Sequence, residues 1–397
     1  MAVYKLFPTK DATLYSLFPT MNTGLDPIIE STLTTFAYAN ANPQVSRFLI
    51  TFDETEIEDA IENKIGISSS IQLLDTASWK ATLNCFIATA TGLEILPVGT
   101  MLDCYPVSGA WSMGTGQYLD DPQTTDGTSW IWQGYSGSTS WGTTNYGTCA
   151  TGSYNTTYAP AGGGTWYTGS VIPSRLNSNT YPITASQSFN YKSTKDTNFN
   201  VSNIIKAWYT GAIPNNTFDG FIIKQNPEFV DNINYQPELK YYSVDTNTIY
   251  PPQLQFSWRD YVFNTGSSNQ TILNVTPSTI TLSDNPGVFF PESINKFRIN
   301  ARPEYPTQVW QTSSVYTNNY YLPTASYYAI KDVYTNEYVV GFDELYTQIS
   351  ADSTSSYFNV YMNGLEPERY YTIIIKSTIN GSTIVFDNQY SFKVVNG

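Results

Sequence analysis

Short runs of aromatic, aliphatic and Thr residues, separated by turn-forming residues, recur along the whole chain and constrain its fold more than any other feature. Such runs are typical of β-strands, and the 32 Tyr, 20 Phe and 9 Trp supply side chains that strands favour. We therefore predict an all-β protein with few short helices. The predicted strands cover 3–6, 12–15, 46–52, 81–88, 100–106, 186–191, 220–224, 254–258, 279–282, 295–301, 327–333, 338–342, 356–362, 370–378, 383–386 and 390–395.

Two segments have helical spacing instead. In 53–64, two Ile residues lie four positions apart among acidic residues, which indicates one apolar stripe and a solvent-facing acidic side. In 201–209, either Asn200 or Ser202 can cap a helix whose apolar side chains pack inward. Both helices are predicted to be short.

A proline pair divides the chain into two predicted domains. Pro251 and Pro252 stiffen the backbone where the first block of strands ends, so we place the domains at 1–250 and 251–397. The second block has enough strands for one β-sandwich. The stretch 109–169 is dense in Gly, Ser and Trp and is interpreted as long loops packed over a sheet. The Asn380-Gly381 pair between two strand-like runs predicts a hairpin near the C-terminus.

Composition excludes several classes of function. The chain has no His, which removes imidazole-based catalysis and zinc sites that need His. Its formal net charge of −14, without a basic cluster, argues against nucleic-acid binding. With no long apolar run and no signal-peptide core, we expect neither membrane insertion nor export by its own signal. Cys85, Cys104 and Cys149 lack metal-site spacing and are interpreted as small buried side chains.

The order of motifs in the first block resembles the DNRLRE-type family of β-sandwich modules, which are related in shape to carbohydrate-binding modules. The motifs that carry this resemblance are Lys10-Asp11-Ala12-Thr13-Leu14-Tyr15, Arg47-Phe48-Leu49-Ile50-Thr51-Phe52-Asp53, Asp126-Gly127-Thr128-Ser129-Trp130, Gly162-Gly163-Gly164-Thr165-Trp166, and the segment from Phe199 to Trp208 followed by 218–224. The resemblance implies a jelly-roll-like β-sandwich. The helical insert 53–64 and the long region 109–169 depart from the family pattern, so no binding site of that family is carried over.

The second block is similar to Ig-like domains in virion proteins of tailed bacteriophages, of the contractile-tailed kind that infects marine and cyanobacterial hosts. The similar segments are 295–303, Tyr305-Pro306-Thr307 and 364–371. The element from Leu365 to Tyr371 is shared with fibronectin-like sandwiches, in which Leu and Tyr anchor a corner. The resemblance implies an Ig-like or fibronectin-like β-sandwich with a structural role in a virion.

The sequence offers one candidate cation site and one candidate sugar site. Asp120, Asp121 and Asp126 supply carboxylate oxygens of the kind that Ca²⁺ takes, although a solvated acidic loop explains them more simply. The aromatic residues of the loops 109–169 include Trp130, Trp132 and Trp141, whose rings can stack on a host glycan. Packing of these rings into the sandwich is the alternative. No other cofactor is expected.

Arginine and tyrosine provide the candidate subunit interface. Arg298, Arg302 and Arg369 stand out in a chain with few cations, and they serve either in local ion pairs with neighbouring Glu residues or in an interface. Tyr pairs occur at 320–321, 327–328 and 370–371. On a strand, one ring of such a pair can face the core while the other faces a partner.

These observations predict a non-enzymatic structural component of a tailed-phage virion, in its tail, baseplate, neck or fibre attachment. It would act through protein–protein packing, as a homo-oligomer in contact with other virion proteins, after assembly in the host cytoplasm and release by lysis. The alternative is a receptor- or carbohydrate-binding module that recognises host surface glycans through aromatic loops. A glycosidase acting through paired carboxylates is a third hypothesis, and no such pair stands out in the sequence.

Overall fold

The computed structural model describes residues 2–34, 44–66, 78–91, 100–141, 162–171, 181–189, 194, 196–213, 218–226, 238–266, 271–305, 309–311, 314–316 and 320–396. The chain is nearly all β, which confirms the predicted fold class. The strands are β1 (Ala2–Leu6), β2 (Pro8–Tyr15), β3 (Ile28–Thr34), β4 (Gln44–Phe52), β5 (Trp79–Cys85), β6 (Ile87–Thr91), β7 (Thr100–Pro106), β8 (Ser170–Val171), β9 (Tyr181–Pro182), β10 (Ala185–Phe189), β11 (Thr197–Asn200), β12 (Phe221–Asn226), β13 (Glu238–Tyr242), β14 (Gln253–Trp258), β15 (Ser278–Ser283), β16 (Val288–Phe289), β17 (Ile294–Pro303), β18 (Val309–Gln311), β19 (Ser314–Tyr316), β20 (Ser326–Asp332), β21 (Tyr338–Val340), β22 (Ser350–Ala351), β23 (Ser356–Tyr361), β24 (Arg369–Ile379) and β25 (Ser382–Val394).

Both predicted helices are present and short. The first consists of α1 (Glu54–Asp59), capped by the Asp53 carboxylate, which accepts the Glu56 N–H at 3.1 Å, and continues as a π-helical turn over Ala60–Ile65. The second, α2 (Ser202–Tyr209), buries one apolar face. None of the helices in the described part of the chain is long and apolar enough to span a membrane.

The chain divides into two compact units. The N-terminal unit comprises Leu6–Gln255, and the C-terminal unit comprises Phe256–Gly397 together with Met1–Lys5. The sequence analysis places a domain boundary after residue 250 and does not anticipate that the first five residues belong with the C-terminal residues. The division falls within strands β1 and β14.

The N-terminal unit contains a large sheet with the strand order β10-β7-β12-β4-β3-β13-β6, and β2 also pairs with β4. Most neighbouring strands are not consecutive in sequence, so the chain crosses repeatedly between strands, as in jelly-roll-like sandwiches. Strand β5 pairs antiparallel with β11. The core lies on the large sheet and includes Leu14, Leu49 and Ile222, against which the Trp-rich loops pack.

The C-terminal unit is built from two sheets, of order β15-β17-β23-β22 and β16-β25-β24-β20-β21. Aromatic rings from both sheets meet in its core: Phe358 stacks on Phe297 at 5.5 Å and on Tyr328 at 4.3 Å between ring centroids. Tyr371 is buried and donates its hydroxyl to the Glu366 carbonyl at 3.0 Å, as in the corner of fibronectin-like sandwiches.

The predicted C-terminal hairpin is confirmed. Strands β24 and β25 pair in register up to Ile379 and Ser382, and Asn380 and Gly381 both have positive φ, 49° and 75°, as a type I′ turn requires. The sequence analysis treats 383–386 and 390–395 as separate strands, whereas the structure has one strand. A register irregularity opposite 373–375 accommodates the polar residues between the two runs.

Candidate functional site

The Trp residues proposed to contact glycan lie mostly in the core of the N-terminal unit. Trp130 is fully buried and Trp141 is 3% exposed. Trp141 donates its indole N–H to the Ser129 carbonyl at 2.9 Å. Neither ring has a face left for a sugar. Trp132 is half-buried, and its buried indole nitrogen has no hydrogen-bond partner among the described residues.

A buried arginine lies against two indole rings of this core, those of Trp130 and Trp166. The Arg47 guanidinium lies 4.9 Å from the Trp130 ring centroid and 5.1 Å from that of Trp166. It donates to the Gly163 carbonyl at 2.5 Å. Gly163 has φ of 82°, and a Cβ there would lie 2.5 Å from Arg47 Nη1, so the backbone approaches as only glycine allows. The Trp-rich loops are thus an internal packing element.

The candidate Ca²⁺ ligands do not come together. Asp126 accepts the Thr115 N–H at 2.9 Å and the Thr115 hydroxyl at 2.6 Å. Burial alone would raise the pKa of Asp126, but these hydrogen bonds hold it below its usual value. Asp120 accepts the Gln117 N–H at 2.7 Å. Within the described ranges, no three acidic, Cys or His side chains are placed to hold a metal ion, and Asp121 lies exposed in the same loop.

Two of the three candidate interface arginines form ion pairs inside the C-terminal unit. Arg298 donates to both carboxylate oxygens of Asp352, at 3.0 and 2.9 Å, and holds the pKa of that carboxyl far below its usual range. Arg369 donates to both oxygens of Asp332, at 2.6 and 2.8 Å. Their partners are Asp residues distant in sequence, not the neighbouring Glu residues that the sequence analysis considers.

Arg302 differs from the other two. It is exposed on β17, and no ion pair joins it to any residue in the described part of the chain. Its guanidinium can therefore meet a partner molecule without first breaking an internal pair.

The Tyr pairs point one ring inward and one outward, as predicted from strand alternation. Tyr328 and Tyr371 are buried, while Tyr327 is half-buried and Tyr370 is exposed. Tyr370 is one of the large apolar side chains exposed on the C-terminal unit. The exposed set on this unit comprises Val262, Ile272, Val275, Val288, Phe290, Ile294, Tyr305, Val333, Tyr334, Tyr338, Leu345, Tyr370 and Val385.

Sequence reasoning missed a buried lysine in the C-terminal unit. Lys5 is 6% exposed, and its ammonium donates to the Val339 carbonyl at 3.2 Å. Burial lowers the pKa of Lys5 to about 8, against the attraction of Glu366. Asn363 donates its side-chain amide to the Lys5 carbonyl at 3.2 Å. The adjoining pocket has room for about one water molecule, so it is no ligand site.

A buried carboxyl in the N-terminal unit was also missed. Asp11 is fully buried on β2, and one of its oxygens accepts the Val244 N–H at 2.7 Å. The other oxygen has no partner among the described residues. Burial raises the pKa of Asp11 well above its usual value. The motif that contains Asp11 was quoted only for its resemblance to a strand, because sequence does not show burial of a single side chain.

Two of the three cysteines are free and buried, Cys85 and Cys104, while Cys149 lies outside the described residues. Burial raises the pKa of the Cys85 thiol to about 12, which favours its neutral form.

Compared with models of protein families, with curated proteins and with solved structures, the chain gives no match.

Proposed function

We propose that this chain is a non-enzymatic structural subunit of a tailed-phage virion, placed in the tail, baseplate, neck or fibre attachment. It packs against copies of itself and against other virion proteins. The proposal rests on the resemblance of the second block to Ig-like virion domains and on one observation from the structure. That observation is the set of large apolar side chains exposed on the C-terminal unit.

Exposed aromatic side chains of this kind favour permanent association. Phe290 is 61% exposed, and Tyr334 and Tyr370 lie together on the surface with ring centroids 6.4 Å apart. Interfaces are enriched in aromatic residues and Arg relative to the rest of a protein surface, so exposed rings of this kind are candidates for burial against a partner. The exposed Arg302 belongs to the same unit and supplies a cation at such an interface.

The paired charges support the same function. Arg298 and Arg369 are held by Asp352 and Asp332, so their charges are already balanced within the unit. Burying a surface whose charges are balanced avoids the cost of desolvating an unpaired ion. These two arginines therefore add no unpaired cation to a surface that becomes buried on assembly.

Two measurements test the proposal. Mass spectrometry of purified phage particles is expected to detect the chain, and light scattering after size exclusion is expected to find a closed oligomer. The double variant Phe290→Ser with Tyr370→Ser is expected to dissociate that oligomer without changing the unfolding temperature by more than a few degrees. The control is Tyr135→Ser, since Tyr135 is 63% exposed on the other unit. Absence from particles, or a monomer at all concentrations, would contradict the proposal.

A glycan-binding role through Trp130 and Trp141 is not proposed, because both rings are enclosed in the core. A sugar would need another surface of the N-terminal unit.

A further inference from the structure

One long strand edge of the C-terminal unit has no neighbouring strand along most of its length. Strand β25 pairs with β24 on one side, whereas on its other side β16 pairs only with Lys393 and Val394. Along 382–391, no strand of the described residues pairs with β25 on that side. The outward backbone N–H and C=O groups of such an edge can pair with a strand from another chain.

The later part of this edge is covered by other contacts. The Asn388 amide and the Tyr390 hydroxyl both donate to the Ile280 carbonyl of β15, at 3.1 and 2.9 Å. A bulge over 387–389 interrupts the regular pairing with β24. The regular and uncovered part of the edge is therefore 382–386.

This open segment presents backbone groups and an exposed side-chain face. The two-residue turn makes Ser382 a hydrogen-bonded partner of β24, so alternation turns the N–H and C=O groups of Thr383 and Val385 away from β24. The side chains of these two residues are exposed, that of Val385 by 54%. Ile384 and Phe386 pack on the core of the unit instead.

The segment lacks the features with which proteins protect a strand edge. It contains no charged residue and no Pro, and three of its five residues are β-branched. Edge strands β16, β21 and β22 are protected by their length, which is only two or three residues. An exposed, neutral segment of strand-forming residues associates non-specifically unless a defined partner covers it.

A second copy of the same segment fits this edge. With a two-fold axis at Ile384, Thr383 of each copy lies opposite Val385 of the other, and both residues already turn their backbone groups outward. Each such pair can exchange two N–H···O=C bonds, and no charges of the same sign face each other. A parallel pairing in register would instead place the two Asp387 carboxylates side by side.

We propose that residues 382–386 pair antiparallel with the same residues of a second copy, so that the sheet containing β25 continues across a two-fold axis. The inference rests on the proposed self-association of the chain and names a contact that produces it. Such a contact uses the same surface on both copies, so it closes into a dimer and does not extend into a fibre. In a larger oligomer, the other exposed apolar side chains of the unit join these dimers.

Sedimentation equilibrium of the full chain measures this contact. The double variant Thr383→Lys with Val385→Lys places ammonium groups opposite each other and is expected to raise the Kd of self-association by about tenfold or more. The double variant Thr383→Glu with Val385→Glu is expected to have the same effect. A mixture of the Lys and Glu variants is expected to restore association, because each ammonium group then faces a carboxylate.

Cross-linking tests the register of the pairing. In the proposed dimer the two copies of Ile384 form a pair whose Cβ atoms lie about 5 Å apart, so Ile384→Cys is expected to form a disulfide-linked dimer on oxidation. Thr378→Cys is the matched control, since Thr378 is equally half-buried but lies on β24. Three strand spacings, about 14 Å, would separate its two copies, which is too far for a disulfide. Both variants carry Cys149→Ser, because the other two cysteines are buried.

Circular dichroism of each variant separates loss of pairing from loss of folding. The proposal is overturned if the Lys and Glu variants associate as wild type does, if their mixture stays dissociated, or if Ile384→Cys cross-links no better than Thr378→Cys. A persisting oligomer in these cases leaves the proposed structural role intact, whereas a wild-type chain that is monomeric at all concentrations contradicts both proposals. If the wild type is monomeric and only the Lys variant is missing from phage particles, the edge pairs with a strand of another virion protein, and pairing between copies is overturned.

Discussion

Replacing Lys5 by Met is the substitution whose effect the structure defines most closely. The side chain is buried in the C-terminal unit with its ammonium on the Val339 carbonyl, and its pKa is lowered from 10.5 to about 8. Lowering the pKa means that the folded chain disfavours the charged form. Below about pH 8 the folded chain therefore carries the whole cost of a buried charge, and that cost disappears as pH rises toward 10.5.

The magnitude follows from the size of the shift. One pKa unit corresponds to about 1.4 kcal/mol, so the charged Lys5 costs the fold about 3 kcal/mol at neutral pH. Methionine has a similar length and no charge, but it leaves the Val339 carbonyl without its donor, which costs about 1 kcal/mol. We expect Lys5→Met to raise the free energy of unfolding by about 2 kcal/mol at pH 7 and by about zero near pH 10.

Urea unfolding of the full chain, at one-unit steps from pH 7 to pH 10, measures this difference. Lys5→Arg is the control, because a guanidinium stays charged throughout that range, and its destabilisation relative to wild type is expected to grow with pH. The reasoning would be refuted if the free energies of unfolding of the wild type and of Lys5→Met differed by the same amount at pH 7 and at pH 10. A Met variant less stable than wild type at pH 7 would refute it as well.

Three further substitutions have defined outcomes. Asp11→Asn is expected to raise the free energy of unfolding at pH 7 and to leave it unchanged near pH 3. The raised pKa of the buried carboxyl means that the wild-type fold loses stability as the pH rises above about 4. Equal urea midpoints of the variant and the wild type at pH 7 would contradict this expectation. Arg369→Ala leaves the buried carboxylate of Asp332 unpaired and is expected to lower the free energy of unfolding, measured in urea, by about 2 to 3 kcal/mol. The double variant Arg369→Ala with Asp332→Asn is expected to recover part of this free energy. No recovery in the double variant would argue against the ion pair as the cause. Gly163→Ala places a Cβ 2.7 Å from the Trp130 ring, at a residue whose φ is 82°. The substitution is expected to lower the unfolding temperature by several degrees. An unchanged unfolding temperature in calorimetry would contradict this expectation.

Local sequence patterns predict much of the strand content and the turns of this fold. The hairpin at Asn380 and Gly381 is local: the turn residues, the φ angles that they allow and the alternation of the flanking strands lie within a short segment. The helix over 201–209 likewise follows from local spacing. The association of Met1–Lys5 with the C-terminal unit is not local, because the hydrogen-bond partners of Lys5, Val339 and Asn363, lie more than 300 residues away. Periodicity within a window carries no information about such pairing.

The candidate sites were harder to predict than the fold for a related reason. Trp130 and Tyr118 both occur in a loop region rich in Gly and aromatic residues, and nothing in that composition distinguishes a buried ring from an exposed one. Arg47, distant in sequence, lies over the buried Trp130 ring, whereas Tyr118 packs against Tyr15 and Phe18 and stays 44% exposed. The partners Asp352 and Asp332 of the two arginines were missed because proximity in sequence favoured Glu residues in place of these Asp residues.

The few cations of this chain are used mainly for contacts within each unit. The chain has 19 Lys and Arg residues against 33 Asp and Glu. Several of the cations have partners within the two units: Arg47 is buried against indole rings, Lys5 is buried in the first strand, and Arg298 and Arg369 are half-buried in bidentate ion pairs. At Lys5 this burial lowers the stability of the fold, because burial opposes protonation of the amine. Arg302, in contrast, is exposed and joins no ion pair among the described residues. In the proposed assembly, Arg302 and the exposed aromatic side chains of the C-terminal unit can therefore contact a partner, while Arg298 and Arg369 stay paired with their carboxylates.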